Sequence, residues 1–150
     1  TMIKEIKNKM DYDQLLTESD PNINLVKDYL EHGILYGYYI NKEPVSFIVI
    51  EIINGEIEIK NILTLIEYRG HGYAKALIKF IEETYNDYDT FLISTANSSF
   101  ENIVFYTRLG YIYSHRINNF FLDYYPKEII ENDMQATDLL YFKKSIISLN

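Results

Sequence analysis

The segment Arg69–Ala74 reads Arg-Gly-His-Gly-Tyr-Ala, and its residue types are suited to holding a phosphate or pyrophosphate group. Two glycines let the backbone turn tightly, and the helix predicted directly after them would present its first N–H groups at the positive end of its dipole. The same residues also fit a glycine-rich turn that binds nothing. Two nucleotide patterns are excluded, because no G-x-x-x-x-G-K-S/T loop is present and a dinucleotide fingerprint needs glycine where Lys75 stands.

The elements that must position this turn begin with one helix and three strands. Asp20-Pro21 is typical of a helix start and Gly33 of a helix end, which predicts a helix over about 21–32. The β-branched and aromatic runs that follow are separated by the turn residues Asn41–Pro44 and Asn54–Gly55. They predict three antiparallel strands, over 34–40, 45–53 and about 56–65.

The glycine turn leads into the strongest amphipathic pattern of the chain. Apolar residues recur at helical spacing from Ala74 to Tyr85, and the run Thr90–Ala96 is typical of a strand. A strand, a helix and a strand of this length predict a parallel strand pair with a right-handed crossover. The spacing of Ser98 and Glu101 predicts a capping box at the start of a further helix.

The C-terminal part completes a single domain. Gly110 is expected to end the last long helix, and strands follow near 111–117 and 139–146. The segment between them, 118–138, is longer than ordinary hairpin loops. No repeat or linker divides the chain, so we predict one α/β domain over 1–150. Its sheet is mixed and mostly antiparallel, with a central parallel strand pair, and it is flanked by helices.

The composition of the 150-residue chain excludes several classes of protein. Fourteen Lys and Arg against 22 Asp and Glu give a formal net charge of -8, which disfavours nucleic acid as a partner. The absence of cysteine removes disulfides, thiol nucleophiles and cysteine-ligated metals, and the three histidines, His32, His71 and His115, have no ligand spacing. We therefore expect no metal. No apolar run approaches the roughly 20 residues of a membrane helix, and residues 4–9 are unlike a signal peptide. We expect no membrane partner and a cytoplasmic protein.

The segment Asn61–Ala74 resembles motif A of the GNAT superfamily of acyl-CoA-dependent N-acetyltransferases. In that motif a strand is followed by Gln or Arg, then by Gly three residues later and by Gly or Ala two residues after that; these positions are filled by Arg69, Gly72 and Ala74. The segment Phe105–Tyr111 is similar to the LYEKLGF sequence that ends the next helix in many members. The resemblance covers about 34–146. It implies a GNAT-like fold and acetyl transfer from acetyl-CoA, as co-substrate, to a primary amine by direct attack.

The resemblance also implies which residues contact the coenzyme. The backbone of Ile62, Leu63 and Thr64 would follow the pantetheine arm, and the pyrophosphate would be surrounded by Arg69, Gly70, His71, Gly72, Tyr73, Ala74 and Lys75. Asn97 is a further expected contact, two residues before the position, here Ser99, at which many members carry asparagine. Tyr106 corresponds to the tyrosine that protonates the departing coenzyme A thiolate. A tyrosine beside Phe105 on an amphipathic helix also fits a core residue.

A general base is expected as well, because an amine with a pKa near 10.4 is mostly ammonium at pH 7 and removing its proton corresponds to about 4.6 kcal/mol. Alternation along the strand 56–65 puts Glu56, Glu58 and Lys60 on one face. Glu58 lies at the strand position that other GNAT members use for a glutamate base. The alternative is a solvated strand face on which Lys60 pairs with one of the glutamates.

The segment 118–138 is the candidate acceptor site. It carries five acidic residues against Lys127, whereas residues 60–79 carry four basic residues against Glu67. Aromatic rings beside carboxylates can receive an ammonium group, and the candidate substrate-binding residues are Phe120, Phe121 and Tyr124. An acidic, solvated loop is the simpler alternative. The predicted acceptor is the primary amine of a small cationic molecule. A protein N-terminus or lysine, or a coenzyme A-binding sensor without turnover, are the alternatives, and we expect a monomer or a homodimer.

Overall fold

A computed structural model describes residues 2–146 of the chain. Two short 3-10 helices cover Lys9–Tyr12 and Ile66–Tyr68. The other elements, in chain order, are β1 (Ile3–Glu5), α1 (Asp13–Leu16), α2 (Ile23–His32), β2 (Ile34–Ile40), β3 (Glu43–Ile53), β4 (Glu56–Thr64), α3 (Tyr73–Thr84), β5 (Thr90–Ala96), α4 (Phe100–Arg108), β6 (Ile112–Ile117), α5 (Phe120–Tyr124), β7 (Ile130–Glu131), β8 (Met134–Gln135) and β9 (Leu139–Ser145).

Seven strands form one sheet in the order β1, β2, β3, β4, β5, β9, β6. Neighbouring strands are antiparallel except for β4, the middle strand of the seven, and its neighbour β5, which are parallel. The predicted α/β fold, with a mixed, mostly antiparallel sheet, a central parallel pair and flanking helices, is confirmed. None of the helices in residues 2–146 is both long and apolar enough to cross a membrane.

The two faces of the sheet carry separate apolar layers. On one face, α3 buries the residues of the predicted stripe against the isoleucines of β3 and β4, and the buried members of α3 are Leu77, Ile78 and Ile81. On the other face, α1 and α2 pack against β2, β3 and β4 through Leu16, Val26 and Leu30. Neither β1 nor α1 was expected from the sequence, because three or four residues are too few to show a periodic pattern.

Two predicted helix starts are wrong in detail. Asn22, rather than Asp20-Pro21, is the N-cap of α2, since its side-chain oxygen accepts the N–H groups of the second and third residues of the helix at 3.1 and 3.2 Å. The capping box of Ser98 and Glu101 does not form. Ser99 precedes α4, and its hydroxyl donates to Glu131 at 2.6 Å, while Glu101 accepts from Asn132 at 2.8 Å. Contacts with the segment 118–138 have replaced the local cap.

A β-bulge in β4 determines which face of the sheet the Asn61 side chain lies on. Val49 pairs with Asn61 and Ile50 pairs with Ile59, so Lys60 is an extra residue in β4. Strict alternation from Glu58 would turn the Asn61 side chain to the opposite face. The extra residue brings it to the same side of the sheet as Glu58, where both line one cavity.

Candidate active site

The parallel strands β4 and β5 separate soon after they pair. Their pairing ends at Ile59, whereas β4 continues along β3 to Thr64. The N–H of Leu65 donates to β3 at 2.9 Å. Since backbone groups alternate along a strand, those of Ile62 and Thr64 face the gap between β4 and β5, and those of Leu63 face β3. Two of the three residues predicted to follow the pantetheine arm therefore present their backbone to the gap.

The glycine turn lies at the end of this gap and leaves open space above it. Gly70 and Gly72 both have a φ of +81°, a left-handed conformation that glycine adopts at little cost. A Cβ atom at either position would meet no atom within 4 Å. Helix α3 begins at Tyr73, directly after Gly72, so its first N–H groups lack intrahelical partners beside this space. A turn with this geometry fits a pyrophosphate group.

The side chains around the turn are held by local contacts. Arg69 Nε donates to the carbonyl of Thr64 at 3.1 Å, which ties the turn back to the end of β4. The imidazole of His71 stacks on the ring of Tyr73, with a centroid distance of 5.7 Å and an interplanar angle of 16°. Lys75 is exposed in the first turn of α3. Two cationic side chains, Arg69 and Lys75, therefore flank the open turn.

A cavity of about 470 Å³ lies where β4 and β5 separate. Its wall comes from α2 and the loop before it, from β4, β5 and β9, from α4 and from the segment 118–138. One cationic side chain, Lys60, lines it together with four carboxylates, those of Glu18, Asp20, Glu58 and Glu131. Such a wall attracts cations and repels anions. The aromatic members of the wall are Tyr29, Tyr106, Phe120, Phe121, Tyr125 and Tyr141.

Glu58 is buried in this cavity and is only 8% exposed. Its Oε2 atom contacts the Nζ atom of Lys60, and its Oε1 atom has no hydrogen-bond partner in the described part of the chain. The ion pair expected as the alternative thus forms, but it lies in the cavity wall and not on a solvated strand face. The pKa of the neighbouring Tyr141 is raised to about 12, mainly by burial and to a smaller extent by the negative charge of Glu58.

Asp20 is the centre of a hydrogen-bonded cluster in the cavity wall. Its two carboxylate oxygens accept the hydroxyls of Tyr125 at 2.6 Å and Tyr29 at 2.9 Å. The Tyr29 oxygen also accepts from Asn61 Nδ2 at 2.8 Å, and Asn61 Oδ1 accepts from the hydroxyl of Ser19 at 2.5 Å. Burial, reinforced by the charge of Asp20, raises the pKa of both tyrosines. The cluster joins β4, α2 and the segment 118–138.

Tyr106 belongs both to the core and to the cavity wall. Its side chain is 7% exposed, and its ring lies 6.2 Å from that of Phe142 in an edge-on contact. Its hydroxyl has no hydrogen-bond partner within residues 2–146, although the residue borders the cavity. Burial raises the pKa of this hydroxyl above the usual value for tyrosine.

The aromatic residues predicted to bind the acceptor have different positions. Phe120 and Phe121 line the cavity, whereas Tyr124 is 54% exposed and its ring packs against Phe120 outside the wall. Tyr125 lines the cavity in its place. This one-residue difference arises because α5 ends at Tyr124 and the next residue is extended, which turns Tyr125 toward Asp20.

Asn97 lies outside the cavity wall. Its side-chain oxygen accepts the N–H groups of Thr137 and Asp138 at 2.9 and 3.1 Å, so its carboxamide holds the chain before β9. Its expected contact with the coenzyme stays a prediction. Within residues 2–146, no group of three or more His, Asp or Glu side chains is arranged to hold a metal ion.

Sequence reasoning missed several residues of the wall. Four of them were not named as site residues from the sequence: Asp20, Tyr29, Asn61 and Glu131. Of these, only Asn61 has a sequence feature that could have indicated a site. It is a polar residue in a run of isoleucine and leucine, which is unusual for a strand with both faces covered. A polar residue at such a position requires a hydrogen-bonding partner, and that requirement indicates a site.

Comparison with known proteins identifies the family. Residues 31–113, more than half of the chain, match the family described as Acetyltransferase (GNAT) domain. The chain is 30% identical over 132 residues to an uncharacterized N-acetyltransferase, YvbK, of Bacillus subtilis (strain 168). The matched region covers 86% of this chain and 84% of that protein.

Two solved structures are similar over nearly their whole length. A GNAT family acetyltransferase from Elizabethkingia anophelis with acetyl-CoA bound has a TM-score of 0.90 and 29% identity, covering 96% of this chain and 97% of that one. An acetyltransferase of Bacillus subtilis in complex with CoA has a TM-score of 0.88 and 26% identity, covering 97% of this chain and 98% of that one. The chain described here belongs to the GNAT family of acetyltransferases.

Proposed function

We propose that the protein transfers an acetyl group from acetyl-CoA to the primary amine of a small cationic molecule. The observation that carries this proposal is the cavity beside the gap between β4 and β5. It joins a backbone surface suited to a thioester donor to a wall with four carboxylates suited to a cationic acceptor. The two reactants would meet where the gap opens into the cavity.

The donor side is supported by the fit of the chain to coenzyme A. The two similar structures hold acetyl-CoA and CoA. In this chain, the backbone of Ile62 and Thr64 would hold the pantetheine arm, and the open turn at Gly70 and Gly72 would hold the pyrophosphate. When bound, acetyl-CoA supplies the thioester carbonyl that an amine attacks. Arg69 and Lys75 add positive charge beside the polyanionic end of the coenzyme.

The acceptor side is supported by the charge of the wall. Lys60 pairs with Glu58, and the other three carboxylates, Glu18, Asp20 and Glu131, have no ion-pair partner among residues 2–146. A cationic acceptor would supply the missing positive charge, and the rings of Phe120 and Phe121 would cover its apolar part. The segment 118–138 is hydrogen-bonded to both sides of the cavity, which favours a small molecule over a protein chain as acceptor.

Glu58 and Tyr106 would carry the proton transfers. Deprotonating an amine with a pKa near 10.4 at pH 7 costs about 4.6 kcal/mol, and Glu58 Oε1 is a carboxylate oxygen in the cavity wall that could accept the proton directly or through a water. Tyr106 would donate to the leaving sulfur. Direct attack needs no nucleophile from the enzyme, and the chain has no cysteine.

An amine panel tests this function. Release of free thiol from acetyl-CoA would be followed with cationic diamines, neutral monoamines, amino acids and short peptides that have a free N-terminus. We expect the largest kcat/KM for acceptors that carry a second positive charge, and initial rates that indicate a ternary complex. Faster turnover of the peptides would favour the protein-acetylating alternative. Saturable binding of coenzyme A with no thiol release for any amine would favour the sensor.

A further inference from the structure

The outer side of β6 is an open sheet edge. β6 is the last strand of the sheet, and β9 pairs with one side of it. All six of its residues are exposed, and no other strand in residues 2–146 pairs with its outer side. The opposite edge of the sheet, β1, has three residues. An open edge of this length offers a row of unpaired N–H and C=O groups to another strand.

Large apolar side chains lie along this edge. Ile112, Tyr113 and Ile117 are 70%, 50% and 41% exposed. Natural edge strands are commonly protected by charged residues or proline. The charged side chain of β6, Arg116, already donates to the Tyr113 hydroxyl at 3.2 Å and to Asp138 at 3.1 Å. The apolar side chains of the edge are therefore not screened by a free charge of their own strand.

A β-bulge sorts the side chains of β6 onto two faces. The register with β9 shifts by one residue between Tyr113 and His115. Ile112, His115 and Ile117 pair with every second residue of β9 and so share one face. Tyr113 and Arg116 pair with the residues between and share the other face. Without the extra residue, the two isoleucines, five positions apart, would lie on opposite faces.

We propose that β6 pairs antiparallel with β6 of a second copy of the chain. About a two-fold axis at the centre of the strand, Ile112 lies opposite Ile117 of the second copy, and Tyr113 lies opposite Arg116. Both pairs join residues that share a face, as antiparallel pairing requires. The bulge makes this register possible, and the two-fold axis produces each pair twice.

Charge favours this edge over the rest of the surface. The chain has a formal net charge of -8, so two copies repel one another in most orientations. β6 contains no carboxylate, and the proposed register puts no like charges opposite each other. Arg116 would face the ring of Tyr113 in the second copy, a contact that resembles the one within the chain, where its guanidinium lies 5.7 Å from the same ring.

The molar mass of the full chain, measured by sedimentation or light scattering over two decades of concentration, tests the dimer. One strand pair is smaller than a standard interface of about 800 Å² per partner, so we expect a weak, concentration-dependent dimer. Ile112→Lys alone and Ile117→Glu alone should keep the chain monomeric, because each puts a charge opposite an isoleucine. An equimolar mixture of the two variants should restore the doubled mass. Ile52→Lys, a control at a 46% exposed isoleucine of β3, should dimerise like the wild type.

Introduced cysteines test the register without background, because the chain has none. Directly opposite residues have Cβ atoms about 4.5–5.5 Å apart, close to the span of a disulfide. We expect mild oxidation of a mixture of Ile112→Cys and Ile117→Cys to give a covalent dimer with one copy of each variant. Each variant alone should cross-link much less, since its cysteine faces an isoleucine. These variants change little in size, so they keep the test valid even where a charged variant does not fold.

Three results would overturn the proposal. The first is a wild-type chain that stays monomeric at every concentration. The second is a dimer that persists in folded Ile112→Lys and Ile117→Glu, because the chain would then associate through another surface. The third is a mixture of cysteine variants that cross-links no better than either variant alone, which would exclude the register.

Discussion

Replacing Glu58 by glutamine tests the proposed base with the smallest change of shape. Glu58 is 8% exposed and lies in the cavity wall, so the substitution removes one charge and one proton acceptor while it keeps the volume. Lys60 loses its partner, but its own side chain is 24% exposed and can reach water. We therefore expect the variant to stay folded with little change of melting temperature.

The expected loss of activity depends on pH. An amine with a pKa of 10.4 is unprotonated in about 4 of 10,000 molecules at pH 7 and in about 4 of 100 at pH 9. A base within the site removes the need for the free amine, and bases typically contribute about 10²- to 10⁴-fold. We expect Glu58→Gln to lower kcat/KM about 10²- to 10³-fold at pH 7 and to come within about tenfold of the wild type at pH 9.

The assay is thiol release at saturating acetyl-CoA with the best amine of the panel, measured in steps from pH 7 to pH 9 for the wild type and the variant. Glu56→Gln is the matched control, because Glu56 lies two residues earlier on the same strand and outside the cavity wall. It should keep the wild-type profile. If the Glu58→Gln profile runs parallel to that of the wild type over this range, Glu58 is not the base.

Three further substitutions test other parts of the site. Gly72→Asp should weaken coenzyme A binding at least tenfold by calorimetry, because it puts a side chain and a negative charge in the open turn. Gly55→Asp is the control: Gly55 has a φ of +76° in another open turn, so this variant carries the same backbone strain and should bind coenzyme A normally. Tyr106→Phe should reduce turnover by no more than about a hundredfold and keep the affinity for coenzyme A. Unchanged turnover under conditions in which the chemical step limits the rate would mean that Tyr106 is only a core residue. Phe121→Ala should raise the KM of the amine severalfold and spare that of acetyl-CoA, whereas Tyr124→Ala should do less because its ring lies outside the cavity wall. Equal effects of these two variants would remove the cavity from acceptor binding.

The parts of the fold that follow short-range rules could be predicted from the sequence. The stripe from Ala74 to Tyr85 predicts α3 because its apolar spacing matches the period of a helix, and the buried residues of α3 belong to that stripe. The run Thr90–Ala96 predicts β5 with its observed ends, since it has both the composition and the length of a buried strand. These elements place the gap and the glycine turn, on which the proposed coenzyme contacts depend.

On the proposed acceptor side, three of the residues predicted from the sequence line the cavity: Glu58, Phe120 and Phe121. The rest of the wall could not be predicted, because its contacts join residues far apart in the chain. Asp20 meets Tyr125 across 105 positions, and the bulge that turns Asn61 inward depends on how β4 pairs with β3. A strand pattern assigns faces by strict alternation, and one extra residue reverses every assignment after it. In α5, five residues were too few to show which of two adjacent tyrosines faces inward.

The two proposed proton transfers differ in the free energy that each must supply, and this difference orders the two catalytic variants. An ordinary tyrosine gives its proton to an ordinary thiolate uphill by about 1.5 pKa units, or roughly 2 kcal/mol. Burial raises the pKa of Tyr106, so the proposed transfer is more uphill still and the hydroxyl would act more as a hydrogen-bond donor than as an acid. Releasing the amine proton to solvent at pH 7 costs about 4.6 kcal/mol, and the proposed role of Glu58 is to help with that larger cost. At pH 7, Glu58→Gln should therefore lose more activity than Tyr106→Phe on the same amine, and the reverse order would mean that departure of the thiolate, and not deprotonation of the amine, limits the reaction.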